Sequence, residues 1–260
     1  MRNTLLVALI FGILGTVGCN SDNTKQNMSA GYQALDAQQF DEAMARADQQ
    51  LTQNPTGSTA GEALYLKGRA LEGKTTSSQP EARQNYLQAR DAYQQALQQQ
   101  PNPALEARIH AGIANTSYWL DDYATAVSEW SAAYPNFDDP AIKSFMLYRI
   151  GLSQQRMGNF GMADQTFAKV QQEFAGTDAA KRAREHQGYK GFTVQLATFA
   201  NPSSADGEIS KLRSQGITPT KSRNAQGNTV VSIGPISSYP QALDLKRRFT
   251  SIYPQAIILP

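Results

Sequence analysis

The feature that most constrains the fold is a repeat of small and aromatic residues in the first two thirds of the chain. Gly31, Ala114 and Gly151 each stand nine residues before an aromatic residue, and alanine follows each aromatic three residues later. These pairs are Phe40 and Ala43, Tyr123 and Ala126, and Phe160 and Ala163. Small residues let two helices approach closely, while aromatic side chains fill the space beside them. One hairpin cannot bury its apolar face alone, so the repeat predicts several stacked helical hairpins.

A fourth copy begins at Leu64, with Gly68 at the small position, and resumes at Tyr86 after an insertion. The spacing over 28–187 resembles that of tetratricopeptide repeats (TPRs). This resemblance implies an all-α, TPR-like solenoid that binds a protein or peptide in a concave groove lined by the first helix of each repeat. The groove residues that it implies are Tyr32, Tyr65, Arg69, Asn115, Tyr118, Trp119, Tyr148 and Arg156. Alternatively, these side chains pack inside an irregular helical bundle.

The N-terminus has the layout of a secretory signal that ends at the only cysteine of the chain. Arg2 precedes an apolar run over 5–14, and Gly18 stands directly before Cys19. A membrane-spanning helix needs about 20 apolar residues, so this run is too short to be one. The last four residues up to the cysteine resemble the lipobox of bacterial lipoproteins, which implies a signal peptide over 1–18 and acylation of Cys19. A polar tether follows over 19–27. The alternative is an ordinary cleaved signal with an incidental cysteine.

Beyond Gly188 the apolar pattern changes from a helical period to strict alternation, which is typical of half-buried strands. The predicted elements are a strand at 192–196, a helix at 203–215, strands at 218–222 and 229–233, a helix at 239–252 and a strand at 256–259. Pro219 places the second strand at a sheet edge. The order β-α-β-β-α-β predicts a small α+β domain of the ferredoxin or RNP-like kind, with both helices on one sheet face.

Two segments of this region, 194–199 and 230–236, resemble the signature segments of the sporulation-related repeat, or SPOR, domain, over 188–260. The resemblance implies binding of peptidoglycan glycan strands stripped of their peptides, as at division septa. Together with strand parity, it implies glycan-binding residues on the uncovered sheet face at Gln195, Thr198, Asn228, Val230, Ser232 and Ile258. Parity places Ala197 on that face as well. Because family members often carry an aromatic and an arginine where this chain has Asn228 and Val230, the alternative is a SPOR-like module that no longer binds glycan.

The composition disfavours catalytic and metal chemistry. The chain has one Cys and two His, whereas a structural zinc or iron–sulfur site needs about four such ligands. The formal net charge of +2 is too balanced for a general nucleic-acid binder. No phosphate-binding glycine loop, nucleophile elbow or histidine pair at metal spacing is present in the sequence. We therefore expect a non-enzymatic protein without a cofactor.

Together these features predict a periplasm-facing lipoprotein of the bacterial cell envelope that is anchored by lipid. Asn20 after the cysteine favours the outer membrane, by resemblance to enterobacterial sorting. The expected partners are glycan strands bound by the SPOR domain, an envelope protein or peptide bound by the repeats, and the membrane, but not nucleic acid. The alternative function is an envelope assembly or trafficking adaptor that acts through its repeats alone.

Overall fold

The computed structural model describes residues 17–74, 76 and 78–260. In this part of the chain, nine helices form an array: α1 (Val17–Asp36), α2 (Phe40–Gln53), α3 (Ser58–Gly73), α4 (Gln79–Gln98), α5 (Pro103–Trp119), α6 (Tyr123–Ala133), α7 (Pro140–Arg156), α8 (Phe160–Glu173) and α9 (Asp178–His186). A short 3-10 turn, Tyr134–Asn136, lies between α6 and α7. Consecutive helices pack against each other, and their short loops make them antiparallel hairpins.

The repeat residues meet where the helices cross. A Cβ atom on Gly151 of α7 would lie 2.6 Å from the ring of Phe167 on α8, and one on Gly68 of α3 would lie 2.5 Å from the ring of Tyr93 on α4. Gly112 of α5 contacts the same tyrosine, because a Cβ there would lie 2.6 Å from its ring. A side chain at these three positions would collide with the aromatic ring, so glycine is what allows the helices to approach this closely.

The first helix begins earlier than the sequence predicts. The segment 19–27, expected to be a polar tether, is helical and belongs to α1. Asn27 and Met28 are buried, and Nδ2 of Asn27 donates to the carbonyl oxygen of Arg46 at 3.0 Å. Once these residues hold α1 on its neighbour, each preceding residue extends an existing helix, which costs far less than starting one. The predicted signal peptide, 1–18, lies outside the described residues except for its last two positions.

The C-terminal unit follows the predicted order: β1 (Phe192–Phe199), α10 (Pro202–Ser214), β2 (Thr220–Arg223), β3 (Thr229–Ile236), α11 (Tyr239–Phe249) and β4 (Ile257–Leu259). The strands form an antiparallel sheet in the order β2-β3-β1-β4, so β2 is an edge strand, as Pro219 predicts. Helices α10 and α11 cover one sheet face and bury Val194, Leu196 and Val231 against it. The predicted fold class, all-α repeats followed by a small α+β domain, is confirmed.

An aromatic joint, formed by Arg156, Phe160, Phe192 and Tyr239, connects the array to the C-terminal unit. Tyr239 packs against the buried cores of both parts. Its ring centroid lies 4.1 Å from the guanidinium carbon of Arg156 and 5.7 Å from the ring of Phe192. The ring of Phe160, on α8, lies 5.7 Å from that of Phe192. Aromatic pairs at such distances stabilise a contact beyond the area that they bury.

Polar contacts hold the connecting segment beside the joint. Asp164 accepts the backbone N–H of Gly188 at 2.8 Å, and its other oxygen lies 3.2 Å from Nζ of Lys190. Nε2 of Gln155 donates to the carbonyl oxygen of His186 at 2.8 Å. The ion pair of Lys190 is exposed, so it contributes little. The aromatic joint and the hydrogen bonds of Gln155 and Asp164 therefore hold the C-terminal unit beside the last hairpin.

Candidate functional site

The array has a groove of about 890 Å³, lined mainly by side chains within 32–36, 65–72, 104–119 and 136–149. Its walls come chiefly from α1, α3, α5 and α7, which are the first helices of the four hairpins. Of the eight groove residues expected from the sequence, five line this groove: Tyr32, Tyr65, Arg69, Asn115 and Trp119, although Tyr65 is buried with only 5% of its surface exposed.

The other three expected groove residues lie elsewhere. Tyr118 and Tyr148 are buried in the core of the array, where the alternative of internal packing describes them correctly. Adjacent residues on a helix point about 100° apart. Trp119 faces the groove, and its neighbour Tyr118 therefore points into the core. Arg156 belongs to the aromatic joint and faces Tyr239 of the C-terminal unit. Its partner comes from distant sequence, which repeat spacing does not reveal.

A half-buried carboxyl group, Glu72 of α3, lines the groove and is missing from the sequence-based set. The hydroxyl of Tyr93 donates to its Oε2 at 2.7 Å, and Nδ2 of Asn115 donates to its Oε1. Burial raises the pKa of Glu72 above its ordinary value, although these two hydrogen bonds and the charge of Arg69 oppose the rise. Glu72 stands four residues after Gly68, on the same helix face, and that spacing is the signal that could have identified it.

We expect the unfolding free energy of the protein, relative to that of a Glu72→Gln variant, to fall as the pH rises above about 4.5. The folded state raises the pKa of Glu72 from its usual 4.5, so the stabilisation is complete below that value and is lost as the pH rises through the folded-state pKa. The glutamine keeps the shape of the side chain but does not titrate. Urea unfolding of both proteins between about pH 4 and pH 8 measures the difference, and parallel curves would contradict the prediction.

One wall of the groove is apolar and solvent-exposed. Trp119, Ile142 and Phe145 are large apolar side chains that remain exposed there. The guanidinium carbon of Arg149 lies 4.9 Å from the ring centroid of Phe145 and 5.5 Å from that of Trp119. Ile142, Phe145 and Arg149 are three and four residues apart on α7, which is the spacing of one helix face. This spacing is visible in the sequence, but it does not follow the repeat of small and aromatic residues.

The sheet face that the helices leave uncovered, here called the open face, carries only uncharged side chains among the described residues. Directly opposed residues of antiparallel strands point to the same face, and Gln195 is opposed by Ser232, as Thr198 is by Val230. Nε2 of Gln195 also donates to Oγ1 of Thr198 at 3.2 Å. The strand residues of the open face are Thr193, Gln195, Thr198, Thr220, Ser222, Val230, Ser232, Ile257 and Leu259.

Residues 188–260 match the SPOR domain family. The C-terminal unit is a SPOR domain. No curated protein sequence matches the chain. A solved structure described as "Crystal structure of MamA protein" is similar, with 14% sequence identity and a TM-score of 0.45, over 92% of this chain and 100% of that chain.

Two kinds of site are not found in the described part of the protein. No group of three or more His, Cys, Asp or Glu side chains there could hold a metal ion. None of the described helices combines the length and the apolarity that crossing a bilayer requires.

A β-bulge in the SPOR domain changes the face on which two of the expected residues lie. The register between β1 and β3 shifts between Gln195 and Ala197, which stands opposite Val231. An extra residue at this point reverses the alternation of the strand. Ala197, expected on the open face, therefore packs against the helix-covered core, and Thr198 joins Gln195 on the open face.

The expectation for Ile258 is wrong. Ile258 pairs with Val194 and packs against the helix-covered core of the SPOR domain. Its neighbours Ile257 and Leu259 lie on the open face, with 45% and 40% of their surfaces exposed. Ala256 is already part of the core. Alternation along the last strand therefore places residues 256 and 258 in the core and residues 257 and 259 on the open face.

The remaining expected glycan residues differ in how accessible they are. Val230 and Ser232 lie on the open face, but only 7% of each is exposed, because β3 lies between β2 and β1. Asn228 precedes β3, and its backbone N–H donates to Oδ1 of Asn224 at 2.9 Å in the β2–β3 turn. Gln195 and Thr198 are more accessible. A ligand on the open face would therefore contact chiefly β1, β2 and β4.

Proposed function

We propose that this protein is a non-enzymatic lipoprotein that binds peptidoglycan glycan strands through the open face of its SPOR domain and a partner protein through the groove of its helical array. SPOR domains are known for peptidoglycan binding, and the presence of one implies a cell-envelope protein that faces the periplasm. The observation that carries the proposal is the uncharged, hydroxyl- and amide-bearing open face of this SPOR domain.

The chemistry of the open face suits the hydroxyl and amide groups of a sugar chain. The amide of Gln195 both donates and accepts hydrogen bonds, and the hydroxyls of Thr198, Thr220 and Ser222 do the same. Ile257 and Leu259 supply apolar surface against which the C–H face of a sugar ring can pack. These amide, hydroxyl and apolar groups can contact the hydroxyl and N-acetyl groups of the sugars, which a glycan strand stripped of its peptides leaves accessible.

Replacing Gln195 with alanine is expected to weaken glycan binding several-fold without unfolding the protein. Each hydrogen bond to a neutral group typically contributes about 0.5–1.5 kcal/mol. The partly exposed position should change the unfolding free energy by no more than about 0.5 kcal/mol. Sedimentation of the full chain with sacculi, before and after an amidase removes stem peptides, measures the binding. A Gln215→Ala variant is the matched control, because Gln215 is exposed at the end of α10 on the helix-covered side.

The same assay separates the proposal from its alternative. Retention that rises after amidase treatment and falls in the Gln195→Ala protein supports glycan binding on the open face. Retention that is equal in the two proteins removes the open face as the glycan site. No retention at all favours an adaptor that acts through its helical array, a reading supported by the near-complete burial of Val230 and Ser232.

The proposed lipid anchor rests on the sequence around Cys19. A cysteine directly after a small residue, at the end of a short apolar segment, supports acylation at that position, and two or more acyl chains would anchor the protein stably. We expect the wild-type protein to incorporate labelled fatty acid in bacterial cells and to fractionate with membranes. The Cys19→Ala protein should incorporate none. A wild-type protein that takes up no label would contradict the anchor while leaving the glycan proposal intact.

A further inference from the structure

We propose that the groove binds an acidic peptide segment that also carries an aromatic or large aliphatic side chain. This inference rests on the proposed role of the groove as a protein-binding site, and it specifies the chemistry of the partner.

Three arginines from three successive first helices line the groove: Arg69 on α3, Arg108 on α5 and Arg149 on α7. Two other arginines of the array form ion pairs, Arg46 with Glu42 and Arg90 with Asp122. Within the described part of the chain, no carboxylate lies within 4.0 Å of the three groove arginines. Their charges are therefore available to carboxylates of a ligand.

Arg149 is held in position but is not fully satisfied. Its guanidinium carbon lies 4.7 Å from the ring centroid of Tyr118 and close to the rings of Trp119 and Phe145. These aromatic contacts restrain the side chain at the groove wall. Its buried Nε has no hydrogen-bond partner within the protein. Burying a charged donor without a partner is costly, and a ligand carboxylate close to the guanidinium would compensate for that cost.

The carboxylates that line the groove form no ion pair with these arginines. Glu72 is half-buried and accepts hydrogen bonds from Tyr93 and Asn115, and its charge interacts with that of Arg69 only from beyond ion-pair distance. Asp139 accepts the backbone N–H of Ala141 at the start of α7. Asp36 and Asp138 are solvent-exposed, at the end of α1 and in the loop before α7. The cationic groups extend from α3 to α7, so a ligand lying across the helices meets all three.

The apolar wall of the groove indicates that the ligand carries a large apolar group in addition to its carboxylates. Trp119, Ile142 and Phe145 are exposed beside Arg149, and covering such side chains with an apolar group is favourable. A free carboxylic acid or an inorganic anion would leave them in water. A ligand that satisfies both the separated arginines and the apolar wall needs carboxylates and a large apolar group on one extended chain. A peptide segment has this composition.

The test selects ligands from a random peptide library displayed on phage, with the full chain as target. Parallel selections use Arg108→Glu, which reverses the charge of an exposed side chain, and the double variant Arg69→Gln/Arg149→Gln. Arg213→Gln, an exposed residue at the end of α10, is the matched control. Enriched peptides are then synthesised as such and with each Asp and Glu replaced by Asn and Gln. Their affinities are measured by fluorescence anisotropy at low and at high salt, and thermal melts show that each variant is folded.

We expect enriched peptides to combine acidic with aromatic or large aliphatic residues and to bind wild type and Arg213→Gln equally. The amide analogue and the groove variants should weaken binding about tenfold or more, as expected for losing hydrogen bonds between charged groups. Enriched peptides that lack acidic residues, or that bind Arg108→Glu and the double variant as well as wild type, would overturn the inference and leave the groove as a protein-binding site. No enrichment on the wild-type chain would overturn both the inference and the groove half of the proposed function, whatever the result with sacculi.

Discussion

Tyr93→Ala is expected to lower the unfolding free energy of the helical array by about 3–5 kcal/mol, the range for removing a fully buried aromatic side chain. Tyr93 has no exposed surface, and its ring lies against the backbones of Gly68 and Gly112. Three helices, α3, α4 and α5, therefore pack on one ring. Gly68 and Gly112 have no side chains that could fill the cavity. In addition, Glu72 loses the hydroxyl donor that lies 2.7 Å from its Oε2.

Tyr93→Phe is the matched control, because it keeps the ring and removes only the hydroxyl. Its expected cost is about 1–3 kcal/mol, the penalty for leaving a buried polar group without its partner. Both tryptophans, Trp119 and Trp130, lie in the array, so urea unfolding followed by tryptophan fluorescence measures this part of the protein. If Tyr93→Ala costs no more than Tyr93→Phe, the ring does not hold the three helices together.

Arg156→Ala is expected to uncouple the SPOR domain from the array. The guanidinium carbon lies 4.1 Å, 5.0 Å and 5.5 Å from the ring centroids of Tyr239, Tyr118 and Tyr123, and Nη1 donates to the hydroxyl of Tyr123 at 2.9 Å. Each cation–π contact contributes about 0.5–2 kcal/mol, with the larger values where the cation is shielded from water. Of these contacts, the one with Tyr239 joins the two parts, so the variant should lose about 0.5–2 kcal/mol of the attachment between them.

Hydrogen exchange followed by mass spectrometry distinguishes this uncoupling from general destabilisation. In Arg156→Ala, peptides covering β1 and α11 should exchange faster, while peptides covering α1 to α4 keep their wild-type protection. Arg156→Lys should fall between the two proteins, because lysine keeps the charge but loses the planar group that stacks on the rings. Unchanged exchange in β1 and α11 would show that the joint does not couple the two parts. If the joint does couple them, the open face and the groove are held in one fixed arrangement.

The sequence was sufficient where neighbouring positions along the chain encode the contact. Gly151 and Phe167 lie on the two helices of one hairpin, and their spacing alone predicted that the helices cross there. The order of strands and helices beyond Gly188 was likewise predicted, because alternation and helical period are local signals. Five of the eight expected groove residues line one groove, since the first helices of successive hairpins repeat the same face.

The expectations that failed depend on local irregularities or on distant partners. A single extra residue beside Gln195 moved Ala197 into the core, because strand alternation reverses at an inserted residue. Ile258 lies on the core side because it pairs with Val194 of β1, a register that the sequence of the last strand does not encode. Arg156 packs against Tyr239, which lies more than eighty residues further along the chain. Repeat spacing cannot detect such a partner.

The sequence by itself thus determined the two-part organisation, the helical hairpins, the SPOR domain and the identity of Gln195 as an open-face residue. Only the tertiary structure decided which of the described arginines of the array remain free of ion pairs, that Glu72 lies half-buried in the groove, and that Arg156 joins the two parts. The physical reason is the range of the interactions. Helical period, strand alternation and close helix crossings are encoded over a few tens of residues, whereas burial, ion pairing and domain contacts depend on side chains that only folding brings together.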